Sequence, residues 1–103
     1  MEVTAIHSDI EKTISSFDKP TQVKILRAIE FLKLKEYHIG LPHSRKIKDN
    51  LYELRIKGVQ SVRVFYTFHL GQIVLLSVFL KKSQKLTLGN IQVAIERKKF
   101  LES

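Results

Sequence analysis

Apolar residues in the first third of the chain recur at the spacing of an amphipathic helix. In DKPTQVKILRAIEFLKLK, residues 18–35, they form one stripe that consists of Ile25, Ala28, Ile29 and Leu32. Asp18 is a typical N-cap residue, and Pro20 is tolerated in the first turn of a helix. The pattern therefore predicts a helix that ends near Lys35, before the breakers in YHIGLP.

A shorter helix is predicted just upstream. Ser8 and Glu11 match a capping box, and this helix is expected to continue to about Phe17. The short VTAI, residues 3–6, is a possible first strand.

Strand patterns replace the helical spacing after residue 50. Three strands are predicted, over residues 51–57, 61–69 and 72–80, and KGVQ and HLGQ are short enough to join them as hairpins. HSRKIKDN, residues 43–50, is interpreted as a polar, basic connector. A last helix, about Leu88–Phe100, is expected to begin at a Thr87 cap and to bury Ile91, Ala94 and Ile95.

These elements predict an α+β fold. Two N-terminal helices are expected to pack on a small antiparallel sheet, which is a three-strand meander with the possible N-terminal strand, and a C-terminal helix follows. Alternation along the first predicted strand places Tyr52, Leu54 and Ile56 toward the helices. Glu53, Arg55 and Lys57 then face away from them.

Two arginines are predicted to lie opposite each other on that outer face. If residues 58–60 form a three-residue loop, Arg55 pairs with Arg63. Like charges that face each other cost about 0.2–1 kcal/mol, so an anion between them is expected, and Glu53 would supply part of the compensation. A phosphate diester is a natural candidate for that anion, because the guanidinium fork matches its oxygens.

Other side chains on the outer face extend this hypothesis. Phe65 is expected to offer a ring on which a base stacks, and Lys81, Lys82 and Lys85 follow the third predicted strand. Basic residues on the open face of a sheet are also common without any function. The residue pattern alone therefore leaves an anion site and a solvated face equally open.

Composition narrows the class of protein. The chain has 103 residues and no cysteine, which excludes disulfides, thiolate metal sites and cysteine catalysis. The four histidines have no metal-ligand spacing, no glycine-rich phosphate loop is present, and no cofactor is expected. The start of the chain has no secretory-signal pattern and the longest apolar run, residues 73–80, is too short to cross a bilayer, so a cytoplasmic protein without membrane association is expected.

The charge is concentrated in the second half of the chain. The net charge is +8; residues 51–103 hold 9 Lys or Arg and 3 Asp or Glu, a net +6, against +2 for residues 1–50. A basic surface attracts polyanions such as RNA or DNA.

Three segments carry a resemblance to a known family. LYELR, residues 51–55, VRVFY, residues 62–66, and FLKKSQK, residues 79–85, resemble the HigB group of RelE/ParE-superfamily toxins, and the likeness covers nearly the whole chain. The resemblance implies a single RelE/HigB-like toxin domain over residues 1–103. It also implies a ribosome-dependent endoribonuclease that cleaves mRNA without a metal. Its implied partners are the ribosome, mRNA and a cognate antitoxin, typically a HigA-like helix-turn-helix protein.

The resemblance also implies roles for individual residues. Arg63 would clamp the transition state, Arg55, Lys81 and Lys82 would hold phosphates, and a lysine would share proton transfer. Glu53 is the nearest candidate base, or it orients Arg55. The RNA-binding residues implied beside these catalytic ones are Lys46, Lys48, Lys57, Phe65 and Lys85. No tyrosine follows Tyr66, so the general base and acid stay open.

Two alternatives from other classes remain at this point. A ParE-like toxin would bind gyrase instead of cutting RNA, and a basic module would bind nucleic acid or protein without catalysis. The facing arginines with KKSQK favour cleavage, because a protein-binding toxin does not need a convergent cationic face.

Overall fold

The structure, a computed structural model, describes residues 1–82 and 88–103. Within these residues, a five-stranded sheet has helices on both faces. The strands and helices are β1 (Glu2–Ala5), α1 (Ser8–Ser16), α2 (Lys19–Lys35), β2 (Ser44–Lys48), β3 (Leu51–Ile56), β4 (Val62–His69), β5 (Gln72–Leu80) and α3 (Leu88–Glu102), with a short 3₁₀ turn at Glu36–His38.

The sheet is mixed rather than fully antiparallel. Its strand order is β1-β5-β4-β3-β2, and β1 runs parallel to β5 whereas the other neighbours are antiparallel. The predicted first strand and the three-strand meander are confirmed. The α+β class is also confirmed, and the architecture is broadly that of a RelE-like fold.

The predicted connector at residues 43–50 is wrong, because residues 44–48 form the edge strand β2. Ser44 lies opposite Leu54 and Arg45 opposite Glu53 in the antiparallel pair with β3. The segment contains one apolar residue, Ile47, so its pattern lacked the alternation that signals a strand. An edge strand needs little apolar surface, since its backbone is satisfied by one neighbouring strand.

The two N-terminal helices cover one face of the sheet and enclose the main core. Asp18 caps α2 as predicted, with its side chain accepting a hydrogen bond from the Thr21 amide at 2.9 Å. The α2 residues Ile25, Ile29 and Leu32 are buried against Leu54, Val64, Tyr66 and other strand residues. The α1 cap differs from the prediction: His7 is the N-cap, its ring nitrogen accepts from the Asp9 amide, and Ser8 is already helical.

The third helix covers part of the opposite face, which the sequence left open. Ala94 of α3 joins a second buried cluster with Leu51, Phe65, Val74 and Leu76, all from that face. The predicted apolar stripe of α3 is confirmed, because Ile91 and Ile95 pack against the same cluster. The predicted Thr87 cap lies outside the described residues.

Asn50 fixes the tight turn between β2 and β3. Its backbone has φ 48°, a left-handed conformation that asparagine tolerates better than most residues. The Asn50 side chain donates to the Phe68 carbonyl at 2.7 Å and accepts from the Phe68 amide at 3.2 Å. The turn is thereby tied to β4, two strands away from β2.

Candidate active site

The register of β3 and β4 brings the two predicted arginines together. Arg55 lies directly opposite Arg63, and Glu53 lies opposite Phe65. On the outer sides of this pair of strands, Arg45 of β2 is opposite Glu53 and Phe79 of β5 is opposite Arg63. The predicted pairing of Arg55 with Arg63 is therefore confirmed, and a third arginine joins them.

A buried carboxylate lies at the centre of these arginines. The Glu53 side chain is only 1% exposed, and its Oε1 is 3.2 Å from Arg45 Nε and 3.9 Å from Arg55 Nε. Its Oε2 is 3.8 Å from Arg63 Nε. We call Arg45, Glu53, Arg55 and Arg63 the arginine cluster. Three guanidinium groups and one carboxylate give it a net charge of about +2 at neutral pH.

Glu53 thus supplies the anion that the facing arginines require. Within residues 1–82 and 88–103, neither carboxylate oxygen accepts a directed hydrogen bond, and Arg55 Nε and Arg63 Nε donate none. Charge attraction at 3.2–3.9 Å therefore holds the cluster, rather than bidentate hydrogen bonding. The guanidinium groups of Arg45 and Arg55, which reach solvent, are therefore available to a further anion.

The three arginines differ in their access to solvent. The side chains of Arg45, Arg55 and Arg63 are 47%, 26% and 6% exposed. Arg63 Nη1 also donates to the Val62 carbonyl at 3.1 Å. Burial lowers the pKa of the Arg63 guanidinium from its ordinary value, the Glu53 carboxylate opposes this shift, and Arg55 and Arg45 add to it. Arg45 and Arg55 are consequently the cluster's solvent-facing groups, and Arg63 lies beneath them.

Lys81 extends the same face beyond the arginine cluster. The Lys81 amide donates to the Ser61 carbonyl at 2.8 Å, which continues the β4–β5 pairing past the end of β5. Alternation then places Lys81 on the face of Phe79 and Arg63. Lys57 follows β3 and is exposed, and Lys82 is exposed after Lys81. Lys85 lies outside the described residues.

Phe65 does not offer a stacking surface, contrary to the prediction. The residue is fully buried, and its ring packs on Phe79 with 5.1 Å between ring centroids. It belongs to the cluster beneath α3. Local periodicity did not predict this cover, because α3 contacts the sheet across a long separation in the chain.

Two of the predicted RNA-binding lysines lie away from the arginine cluster. Lys46 is opposite Tyr52, so it lies on the face that carries α1 and α2. Lys48 lines a small depression with Asp49 and the C-terminal residues Lys98, Lys99 and Glu102 of α3. Lys46 and Lys48 precede β3 closely in the chain, but the fold does not bring them to Arg55 and Arg63.

Arg45 is the cluster residue that the sequence did not reveal. Its signal was hidden because residues 43–50 were interpreted as a connector. Once β2 is paired with β3, the cross-strand partner of Glu53 is Arg45. Opposite charges on directly opposed residues stabilise such a cross-strand pair.

The described residues contain no set of three histidine, aspartate or glutamate side chains arranged to hold a metal ion.

His43 contributes its backbone to the site, since its carbonyl accepts from the Arg55 amide at 2.8 Å, and its ring packs on Phe31. Across residues 1–82 and 88–103, no helix combines the length and apolar character needed to span a membrane.

A five-stranded α+β sheet with a cationic cluster on one face places the protein in the structural class of RelE-like folds. The family model described as phage-derived protein Gp49-like (DUF891) matches residues 12–99. The chain therefore belongs to the Gp49-like family, which consists of RelE/HigB-type toxins of toxin–antitoxin systems, and an antitoxin partner follows from that membership. No curated protein matches the chain.

Proposed function

We propose that this Gp49-like toxin is an mRNA interferase, a ribosome-dependent and metal-independent endoribonuclease that stops translation in the cytoplasm. The observation that carries the proposal is the arginine cluster. Arg55 and Arg63 are held opposite each other by one buried carboxylate, with Arg45 on the next strand. A surface that only needs to be basic does not require a buried counter-charge between its cations.

Phosphodiester cleavage places specific demands on such a cluster. During attack on phosphorus, negative charge develops on the non-bridging oxygens, and fixed guanidinium groups stabilise that charge most when they are already in place. Arg55 and Arg45 reach solvent and would contact the phosphate, whereas Arg63 adds positive charge from beneath. The proposed roles therefore differ from the expectation from sequence, in which Arg63 made the main contact with the phosphate.

RNA carries its own nucleophile, so the protein need not supply one. The 2′-hydroxyl oxygen forms a bond to the adjacent phosphorus while the bond from phosphorus to the 5′-oxygen breaks. The 2′-hydroxyl loses its proton and the leaving 5′-oxygen gains one. The products are a 2′,3′-cyclic phosphate and a 5′-hydroxyl, and no metal ion enters the balance.

Glu53 is assigned a positioning role in this proposal. Its carboxylate is buried among three guanidinium groups, so a 2′-hydroxyl cannot reach it without disrupting the cluster. Lys81 lies on the same face and is half-buried, and it is the described residue best placed to share proton transfer. Lys57 and Lys82 would bind flanking phosphates.

Inducible expression in bacteria tests the proposal. Wild type should arrest growth, and primer extension should find in-frame cleavages in translated transcripts. Arg55→Ala should reduce cleavage by about 10²–10³-fold, the range for loss of one transition-state donor. Lys12→Ala, which removes one exposed charge from α1, is the matched control and should cleave like wild type.

Two other outcomes would contradict the proposal. Growth arrest with DNA damage and intact mRNA would indicate a ParE-like action on gyrase. Undiminished mRNA cleavage by Arg55→Ala would show that the arginine cluster is not the site of the reaction.

A further inference from the structure

The solvent side of α2 carries an apolar stripe that the fold does not use. Val23, Leu26 and Leu34 are 43%, 55% and 78% exposed. We call these three residues the α2 stripe; Tyr37 lies beyond α2 in the 3₁₀ turn, and its ring packs on Phe68. The spacing of the stripe residues puts them within one narrow arc of the helix, roughly opposite the buried residues Ile25, Ile29 and Leu32. From Val23 to Leu34 the stripe spans 11 residue steps, or about 16 Å at 1.5 Å per residue.

Basic residues flank this stripe. Arg27 and Lys33 lie on either side of it in the helical arrangement, and Lys19 lies about one turn before Val23. Glu30, the single acidic residue of α2, lies within the stripe between Leu26 and Leu34. Glu30 is already engaged, since Lys33 Nζ lies 3.6 Å from its Oε1. The surface therefore combines exposed large apolar side chains with a net positive rim.

We propose that the α2 stripe is the docking surface for an amphipathic, acidic helical segment of the antitoxin. Apolar side chains of that segment would cover Leu26 and Leu34, and its carboxylates would pair with Arg27 and Lys33. An amphipathic helix that lays its apolar face along such a surface is a common recognition mode. The length of the stripe corresponds to about three turns of the partner helix.

The charge of the surface decides between possible occupants. A second copy of this chain would bring two surfaces of the same net positive charge together, and like charges in an interface oppose association. RNA would match the charge but would leave Leu26 and Leu34 without apolar contacts. A segment with both apolar and acidic side chains satisfies both features, and family membership supplies an antitoxin as partner.

The location of the surface has a consequence for inhibition. The helix α2 covers the face of the sheet opposite the arginine cluster, because its buried residues pack with the inward residues of β3 and β4. A segment bound only to the α2 stripe would leave Arg45 and Arg55 open to solvent. Binding of the antitoxin is therefore separable from blockage of the cluster.

Titration calorimetry with the protein encoded beside this chain's gene, as the antitoxin probe, tests the proposal. Leu26→Asp and Leu34→Asp should each weaken binding about tenfold or more, as central apolar contacts do when they are lost. Arg27→Glu should weaken binding most at low salt. Leu70→Asp is the matched control, because Leu70 is 88% exposed in the turn between β4 and β5, and its affinity should equal that of wild type.

Growth assays and size measurements complete the test. The α2 variants should still arrest growth when expressed alone, which shows that they fold, and the co-expressed probe should no longer rescue the cells. Equal affinities for Leu34→Asp and Leu70→Asp, or no binding by wild type, would overturn the proposal. So would a toxin dimer that Leu34→Asp dissociates. The calorimetric affinities and the size measurements do not require mRNA cleavage, so the proposed catalytic function can fail independently.

Discussion

Glu53 is the residue on which the geometry of the arginine cluster depends. Its buried carboxylate lies within 4 Å of guanidinium nitrogens from three neighbouring strands. Without it, Arg55 and Arg63 would be two like charges directly opposite each other in the sheet, and Arg45 would add a third. The same side chain thus offsets repulsion in the fold and orients the groups that we propose bind phosphate.

Glu53→Gln tests this structural role. The amide keeps nearly the same shape but removes the counter-charge, so the guanidinium groups repel each other without compensation. We expect the free energy of unfolding to fall by about 2–4 kcal/mol, somewhat less than for a fully buried pair because Arg45 and Arg55 reach solvent. Urea unfolding measures the change, with Glu11→Gln on the exposed side of α1 as the control. Equal stability of the Glu53 variant and the control would contradict the role.

The Arg55–Arg63 pair could be predicted from residue counting, but its surroundings could not. An odd number of loop residues determined that Arg55 and Arg63 share a face, and the strand register confirms this. The burial of Phe65 depends on α3, and the contribution of Arg45 depends on β2. Both require contacts between distant parts of the chain, which local periodicity does not contain.

At the level of elements, one ion pair joins the first helix to the last. Arg97 of α3 donates through Nη1 to Asp9 Oδ1 at 3.1 Å and to the Leu76 carbonyl of β5 at 2.8 Å. Its Nη2 donates to the second Asp9 oxygen. The last helix is therefore held to both α1 and β5, in addition to its apolar contacts with the sheet.

This ion pair predicts a pH-dependent contribution to stability. Hydrogen bonding to Arg97 lowers the pKa of Asp9 from its ordinary value of 3.8. Because the folded pKa lies below the unfolded one, the stabilisation is complete above the unfolded value and disappears as pH falls through the folded value. Asp9→Asn should cost about 0.5–1 kcal/mol near neutral pH, since the pair is partly solvated.

The difference between wild type and Asp9→Asn should then shrink toward zero in acid below the ordinary aspartate pKa. Urea unfolding at a series of pH values measures it, and Glu2→Gln, at an exposed position of β1, is the control. A difference that stays constant through the acid range would show that the Asp9–Arg97 charge pair is not its source.

Element prediction succeeded where the core imposed a pattern. The caps and apolar stripe of α2 identified that helix, and alternation identified β3 and β4. The edge strand β2 escaped because its side chains are mostly solvated and its backbone pairing carries the structure. That omission also hid Arg45, so an error about one element became an error about the site.

At the scale of the whole molecule, the sheet separates two surfaces of different chemistry. The face with α3 carries the arginine cluster beside the covered residues Leu51 and Phe65. The opposite side presents the α2 stripe with its basic rim. Both surfaces are cationic, in keeping with the net charge of +8, and the α2 stripe adds exposed apolar side chains to that charge. We therefore expect different partners for the two: a phosphodiester at the cluster and a protein segment at the stripe.

The central claim is that the arginine cluster cleaves mRNA on the ribosome. The most direct measurement is the single-turnover rate of mRNA cleavage on purified ribosomes with a defined codon in the A site. Wild type and Lys12→Ala should cleave at the same rate and leave 2′,3′-cyclic phosphate ends, whereas Arg55→Ala should be slower by about 10²–10³-fold. Intact mRNA with folded wild-type protein, or equal rates for Arg55→Ala and Lys12→Ala, would contradict the claim.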